Sequence, residues 1–341
     1  MKHKKLGLPY MGSKRKLASS IIDHILEENP STKYIYDVFG GGGAISFEAM
    51  QRPQIKQVFY NELNTGVVEL LKKIRDDGVT EEFYQWIDRE TFKRHKDDNT
   101  WFGGLCAVVW SFGNNKDKGY LYGKKIEEDK RLLHEIIVNK CKESLEAFNK
   151  KYDVDIRLEN DTLLENEDIQ SRRLEVMNGV KKVYQKFKQL QHLESLNHIE
   201  NIQKRRIKVQ SSLKKSSKKA DIFKSIDKSS MSQHLERVQQ LERVQLQQLE
   251  ISNLSYDEVT ISAPIKETII YLDPPYENTA KYSKGICHKE LYEWIDGLTR
   301  RGYKVYLSSY ESELRCVKEF SHRSTLSATT NNKVVEKLFV N

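Results

Sequence analysis

Asp273-Pro274-Pro275-Tyr276 places an acid, two rigid carbonyls and an aromatic ring in one short loop. It follows the apolar run Thr268-Ile-Ile-Tyr-Leu272, which reads as a strand. Asp273 therefore stands at a strand's carboxyl end, where open α/β sheets hold their ligands. The prolines fix the backbone and remove two N–H donors while keeping their carbonyls as acceptors. This set suits methyl transfer to an aryl amine such as that of adenine. The amine's lone pair is delocalised into the ring, so the nitrogen is a weak nucleophile. Acceptors on its two N–H bonds, the Asp273 carboxylate and the Pro274 carbonyl, favour the reacting geometry and stabilise the charge that grows on nitrogen. Tyr276 is placed to stack on the base, which must leave the duplex to be reached. Asp-Pro and Pro-Pro are also ordinary turn signals, so this loop alone leaves both readings open.

Two further groups stand near the N-terminus. Asp37-Val-Phe-Gly-Gly-Gly-Gly43 ends the apolar run that begins at Tyr34, and Glu62 follows a second apolar run, Gln57-Val-Phe-Tyr60. The glycines do not form the GxGxxG phosphate cradle, but they permit close backbone approach by a ligand. An acid in the position of Glu62 commonly reaches ribose hydroxyls. Tyr10-Met-Gly-Ser-Lys14 precedes an amphipathic stretch from Ser13 to Glu28, and here a carboxylate for Lys14 and a sulfonium or adenine for Tyr10 are the candidate ligands. Read separately, a glycine turn and a basic helix start explain these residues better than a ligand site does.

The elements around these groups alternate. Strand, glycine turn, helix and strand open the chain; strand, helix (Lys289 to Arg300) and strand (Tyr303 to Leu307) close it, with a terminal strand over Lys333 to Val340. The middle, from about 72 to 188, reads as helical and charged, interrupted by the turn-rich, aromatic stretch Trp110 to Gly123. Apolar residues recur every third position at Leu190, Leu193, Leu196, Ile199 and Ile202, and again at Leu235, Val238, Leu241 and Val244 within a repeated Leu-Glu-Arg-Val-Gln unit. A period of three is not the helical 3.6, so these stretches have no assigned structure.

Hydrophobic residues form 38% of the 341 and charged residues 31%, so part of the chain is expected to be solvated. The formal charge is +8, and ten lysines and arginines against two acids between Gln203 and His234 account for all of it. That Lys/Ser-rich segment reads as disordered; it is either a solvated insert or a polyanion-binding arm with a steep salt dependence. No apolar run suggests a membrane span, no apolar core follows the basic start to suggest a secretory signal, and four scattered cysteines suggest neither zinc nor disulfides. A cytoplasmic protein without a metal is expected.

Taken together and in this order, the aromatic-x-Gly-x-Lys segment, the acid-x-Phe-x-Gly-x-Gly loop, the acid after the second strand and the DPPY resemble the Dam-type DNA adenine methyltransferases of bacteria and phages. The resemblance covers roughly residues 6–70 and 250–341, and more loosely 101–124. It implies a Rossmann-like AdoMet-dependent methyltransferase sheet (α/β), formed by 1–71 and 251–341, with a mostly helical target-recognition insertion at 72–250 that includes the basic segment 203–234. It implies that Tyr10, Lys14, Asp37, Phe39, Gly41, Gly43 and Glu62 bind S-adenosylmethionine, and that Asp273, Pro274, Pro275 and Tyr276 form the catalytic loop, with Asp273 also near the cofactor. Trp110 to Gly123 resembles the family's DNA-contacting hairpin, making Asn114, Asn115, Lys116 and Lys118 candidates for base or phosphate contacts, and an aromatic there a candidate to fill the gap left by a flipped base. Double-stranded DNA is the implied partner, with a cognate restriction endonuclease as a further one. Two departures stand out: Ser255 occupies a position where an acid is usual, and Glu62 one where Asp is commoner. The alternatives are methylation of cytosine in DNA, methylation of adenine in ribosomal RNA, and a DNA-binding relative without activity; intact Asp273, Lys14 and glycine loop weigh against the last.

Overall fold

β-Branched and aromatic residues crowd the strand candidates, and the structure, a computed structural model, builds them into one sheet. It describes residues 5–152, 168–179, 230–241, 246–275, 286–323 and 333–341. The strands are β1 (Tyr34–Asp37), β2 (Gln57–Asn61), β3 (Leu249–Ser252), β4 (Thr268–Leu272), β5 (Lys304–Ser309), β6 (Arg315–Arg323) and β7 (Lys333–Val340). They are ordered β3-β2-β1-β4-β5-β7-β6. The first five are parallel, while β7 runs antiparallel between β5 and β6. Every residue of β4 is buried, as expected of a central strand covered on both faces. This is the Rossmann-like α/β sheet expected of the methyltransferase fold.

The chain passes from β1 through α2 (Ala44–Met50) to β2 on one side, and β4 takes the other side of β1. The strand order therefore reverses between β1 and β4. A crevice opens at such a switch point because the connections diverge, and it lies beyond the carboxyl ends of the strands. Asp37 and Tyr271 are paired in register there, so Asp37 and Asp273 mark the same end of neighbouring strands.

The core on one side of the sheet gathers Tyr36, Ile270, Leu272, Val305 and Leu307 with Leu291, Ile295 and Leu298 of the helix His288–Arg300. Those three helical residues lie at i, i+4 and i+7, the spacing of one buried face. Before it, α1 (Ala18–Glu28) buries Ile21, Ile22 and Ile25. Beyond β2, α3 (Thr65–Asp77) packs, past the short α4 (Arg89–His95), on α5 (Trp101–Val109). Gly66 and Gly104 permit that contact: a methyl group on Gly104 would come within 1.9 Å of the Gly66 carbonyl oxygen.

The chain divides into two compact units. One holds the whole sheet and comprises 1–79, 90–119 and 240–341; the other comprises 80–89 and 120–239. In the second, α6 (Glu127–Ile137) packs against α7 (Lys142–Tyr152). Buried Arg172 donates to the carbonyls of Ile137 and Val138, satisfying groups that the end of α6 leaves open. The second period-three stretch is partly explained. Leu235, Val238 and Leu241 are fully buried on the helix Ser230–Leu241. Three residues slipping about 60° per step span about 120°, an ordinary buried face. The period then ends, and Leu249 belongs to β3. The first stretch (190–202), Val244 and most of the basic segment (203–229) lie outside the described residues.

Candidate active site

Asp37 ends β1 fully buried. Its Oδ2 accepts hydrogen bonds from the Ser46 hydroxyl at 2.7 Å and the Ser46 backbone N–H at 3.2 Å. Burial pushes its carboxyl up to about 7, and the charges of Asp273 and Glu62 push the same way; the Ser46 bonds oppose them. An anion here is poised to accept a neighbouring positive charge.

Lys14 arrives through the N-terminal segment. The Leu8 N–H donates to the Gly42 carbonyl at 2.8 Å, and the Ser13 side chain accepts from the Arg15 N–H at 3.4 Å, starting the 3₁₀ turn Lys14–Lys16. The Lys14 side chain is 7% exposed. Its Nζ lies 2.7 Å from Asp273 Oδ1 and 2.9 Å from Glu336 Oε1, and donates to the Gly12 carbonyl at 3.4 Å. Burial works against its charge, but the two carboxylates outweigh burial and hold its pKa above the ordinary lysine value. Asp273, whose side chain is 18% exposed, thus has one oxygen fixed by a buried cation.

The four-glycine loop packs on its own neighbours. A methyl on Gly40 would lie 2.2 Å from the Tyr60 ring, and Gly43 turns into α2 with φ +74°. The Tyr60 hydroxyl donates to the Gly41 carbonyl at 2.7 Å. Close packing within the protein therefore already demands glycine here, independently of any ligand. The Gly41 N–H donates to Glu62 Oε2 at 2.8 Å, the Asn64 N–H donates to Oε1 at 2.9 Å, and Tyr10 hydrogen-bonds the same carboxylate. Tyr10, Gly41 and Glu62 thus form one wall. Burial raises the Glu62 pKa, with these hydrogen bonds opposing it. Phe39 lies 5.7 Å from Tyr256, which meets Trp294 edge-on.

A family model for the D12 class N6 adenine-specific DNA methyltransferases matches residues 10–313. The chain belongs to that family. No curated protein matches it. The methyltransferase therefore transfers a methyl group from AdoMet to the exocyclic amine of adenine in double-stranded DNA, and the cytosine, ribosomal RNA and non-catalytic readings are not favoured. Among the described residues no cluster of His, Cys, Asp or Glu is placed to hold a metal, and no helix is long and apolar enough to cross a membrane.

Several residues beside these strand ends escaped sequence reasoning. Glu336 is one. Asn61 is another: its side-chain nitrogen donates to the carbonyls of Val38 and Leu254, and its oxygen accepts from the Leu254 N–H and the Ser252 hydroxyl. It ties the loops after β1 and β3 together. Ser255 does not replace the missing acid; it caps the 3₁₀ turn Tyr256–Glu258, with its N–H donating to Glu258 Oε2 at 3.0 Å. Leu63 (50% exposed) and Leu254 (41%) are large apolar side chains left in solvent just past β2 and β3. Asn61 and the two leucines each follow or end a strand, the only signal that marks them.

The stretch from Ser111 to Gly119 is closed by the Phe112 N–H donating to the Gly119 carbonyl and carries two 3₁₀ turns rather than two long strands. Asn114 adopts φ +56° and donates to the Val108 carbonyl at 2.7 Å. Asn115 Oδ1 accepts the Asp117 N–H, and its amide meets Met11 Sδ at 3.6 Å. Lys116 pairs with Asp97 at 2.9 Å. Lys118 and Phe112 are exposed. Pro274 is buried and Pro275 partly so; Tyr276 lies outside the described residues.

Proposed function

We propose that Asp273 and the Pro274 carbonyl accept the two N–H bonds of the target amine and that Lys14 and Asp37 set the charge around them. The observation that carries this reading is the position of Asp273 at the switch point, with one carboxylate oxygen 2.7 Å from a buried ammonium. A carboxylate fixed before substrate arrives costs no reorganisation as charge develops on nitrogen. Pro275 stiffens the loop, and Tyr276 stacks on the extruded base.

The donor set fits AdoMet. When bound, AdoMet supplies a methyl group made electrophilic by a sulfonium. Asp37 offers an anion toward that positive charge. Glu62 stands just past β2, where an acid reaches ribose hydroxyls. Leu63 and Leu254 offer apolar faces for the adenine ring, which supports a pocket that does without an acid at Ser255. Tyr10, Phe39, Gly41 and Gly43 complete it. On the DNA side, exposed Lys118 suits a phosphate contact and exposed Phe112 the gap left by a flipped base; Asn114, Asn115 and Lys116 serve by shaping and supporting the loop as well as by any contact of their own. A DNA substrate supports action in the cytoplasm of a bacterial cell, where a restriction endonuclease reading the same target is the partner that such a modification would oppose.

The test is product analysis. Unmethylated duplex DNA incubated with AdoMet and the wild-type protein yields N6-methyl-2′-deoxyadenosine on digestion to nucleosides, while Asp273→Ala lowers turnover by about 10³-fold and leaves DNA affinity within about twofold. Near-wild-type turnover in the variant would refute the assignment of Asp273.

A further inference from the structure

Glu336 lies on β7, opposite Phe320 of β6, and is 5% exposed. It falls outside residues 10–313, so the family match says nothing about it. A carboxylate so deeply buried is costly unless it meets a cation. The cation is Lys14, whose Nζ lies 2.9 Å from Glu336 Oε1 and 2.7 Å from Asp273 Oδ1. One ammonium thus bridges two carboxylates brought from distant parts of the chain.

We propose that Glu336 is a positioning residue for methyl transfer, holding the Lys14 ammonium against one oxygen of Asp273 and offsetting its charge. The inference rests on Asp273 as the acceptor for the target amine. Lys14 alone would fix Asp273 but form with it a neutral pair, weakening its pull on the positive charge that grows on the amine. With Glu336 included, one cation faces two anions and the bridge keeps a net negative charge. The nearby phenols do not change this sum. Burial pushes Tyr271 up strongly, and its hydroxyl lies 2.7 Å from the Ser308 hydroxyl; burial likewise raises Tyr310, so both stay neutral. Asp37 adds negative charge on the same side when ionised. Glu336 thereby separates two jobs that Lys14 would otherwise set in conflict: orienting Asp273, and leaving it anionic toward substrate.

The experiment measures kcat and KM on unmethylated duplex DNA with AdoMet, using the full chain, for wild type, Glu336→Gln, Glu336→Asp, Lys14→Met, Lys14→Met/Glu336→Gln and Asp273→Ala, with thermal melting of each. Glu336→Gln is expected to lower kcat about tenfold with KM for DNA and AdoMet within about twofold. Glu336→Asp should recover part of the loss, and in the Lys14→Met background the Gln change should cost nothing further. Wild-type kcat in Glu336→Gln, or an equal loss with and without Lys14, overturns the proposal. If the Gln variant does not fold, Glu336→Asp carries the test: a lower kcat at unchanged KM supports the positioning role, and wild-type kcat overturns it. An active Asp273→Ala would instead defeat the underlying reading of the site; an inactive one beside a wild-type Glu336→Gln would defeat this inference alone.

Discussion

Lys14, Asp37, Asp273 and Glu336 have little or no access to water, whereas Phe112, Asp117 and Lys118 stand in it. Both regions lie in the sheet-bearing unit and both carry polar residues marked by the same family resemblance, yet they are built differently. At the strand ends, charged side chains are the structure: each carboxylate meets an ammonium, a hydroxyl or a backbone N–H. In the 111–119 loop, Asn114 and Asn115 turn inward to hold the backbone, and what faces solvent is a lysine, an aspartate and an aromatic ring. The proposed chemistry thus sits where geometry is fixed by burial, and the proposed DNA contact where adjustment costs little.

Substitutions sharpen this contrast. Gly40→Ala should have the largest effect on stability, because its methyl group would enter the Tyr60 ring, itself tied to Gly41. A loss of about 1–3 kcal/mol is expected in denaturant unfolding; a neutral result would mean that the loop is loose and the strand-end cluster less fixed than described. Asp37→Asn comes next. The carboxyl sits at about 7 in the folded protein against an ordinary 3.8, so the folded state holds its proton longer than the unfolded chain. Wild-type stability attributable to Asp37 is therefore greatest below about pH 4 and falls as pH rises through about 7. The asparagine variant should melt a few degrees higher than wild type at pH 8 and lose that advantage toward pH 5. An unchanged difference across this range would show that Asp37 does not titrate there. The smallest effects belong to the loop. Lys118→Ala should reduce the slope of log binding constant against log salt by about one phosphate's worth, and Lys116→Ala by less, since Asp97 already neutralises it. Equal slopes for the two variants would erase the distinction within the loop.

The parts of this structure that could be read from residue types are those whose signals are local. β1, β2, β4, β5 and β7 are apolar runs bounded by turns or acids, and each was visible. β3 and β6 were not. Leu249–Ser252 follows directly on the Leu-Glu-Arg-Val-Gln repeat, and a closely similar sequence forms the helix Ser230–Leu241; pairing with β2 decides which becomes strand. Arg315–Arg323 is mostly polar, without a clean alternation, and owes its strand to β7. The convergence of Lys14 on Asp273 follows from the motif order once the sheet is known. Glu336 is hidden for another reason: strand periodicity puts it on the face of buried Leu338 and Val340, but nothing in the strand itself names the cation it meets there, a lysine near the other end of the sequence. Asn61 is less conspicuous than its neighbour Glu62, because its work is done through carbonyls that no residue type announces.

The chain leaves the sheet after β2 and returns to it at β3, and these two strands are immediate neighbours, with Val58 opposite Leu249. Whatever is threaded between them enters and exits at adjacent points, and one unbroken length, 120–239, belongs wholly to the other unit. Lengthening a flexible excursion between fixed ends is inexpensive, about 0.6 kcal/mol for each doubling. Asp37 and Asp273 sit on strands that such a change does not shift. On the reading that the intervening segment carries target choice, the fold separates inheritance of the reaction from inheritance of the target, and that segment is open to lengthening, repetition or exchange without any re-invention of methyl transfer.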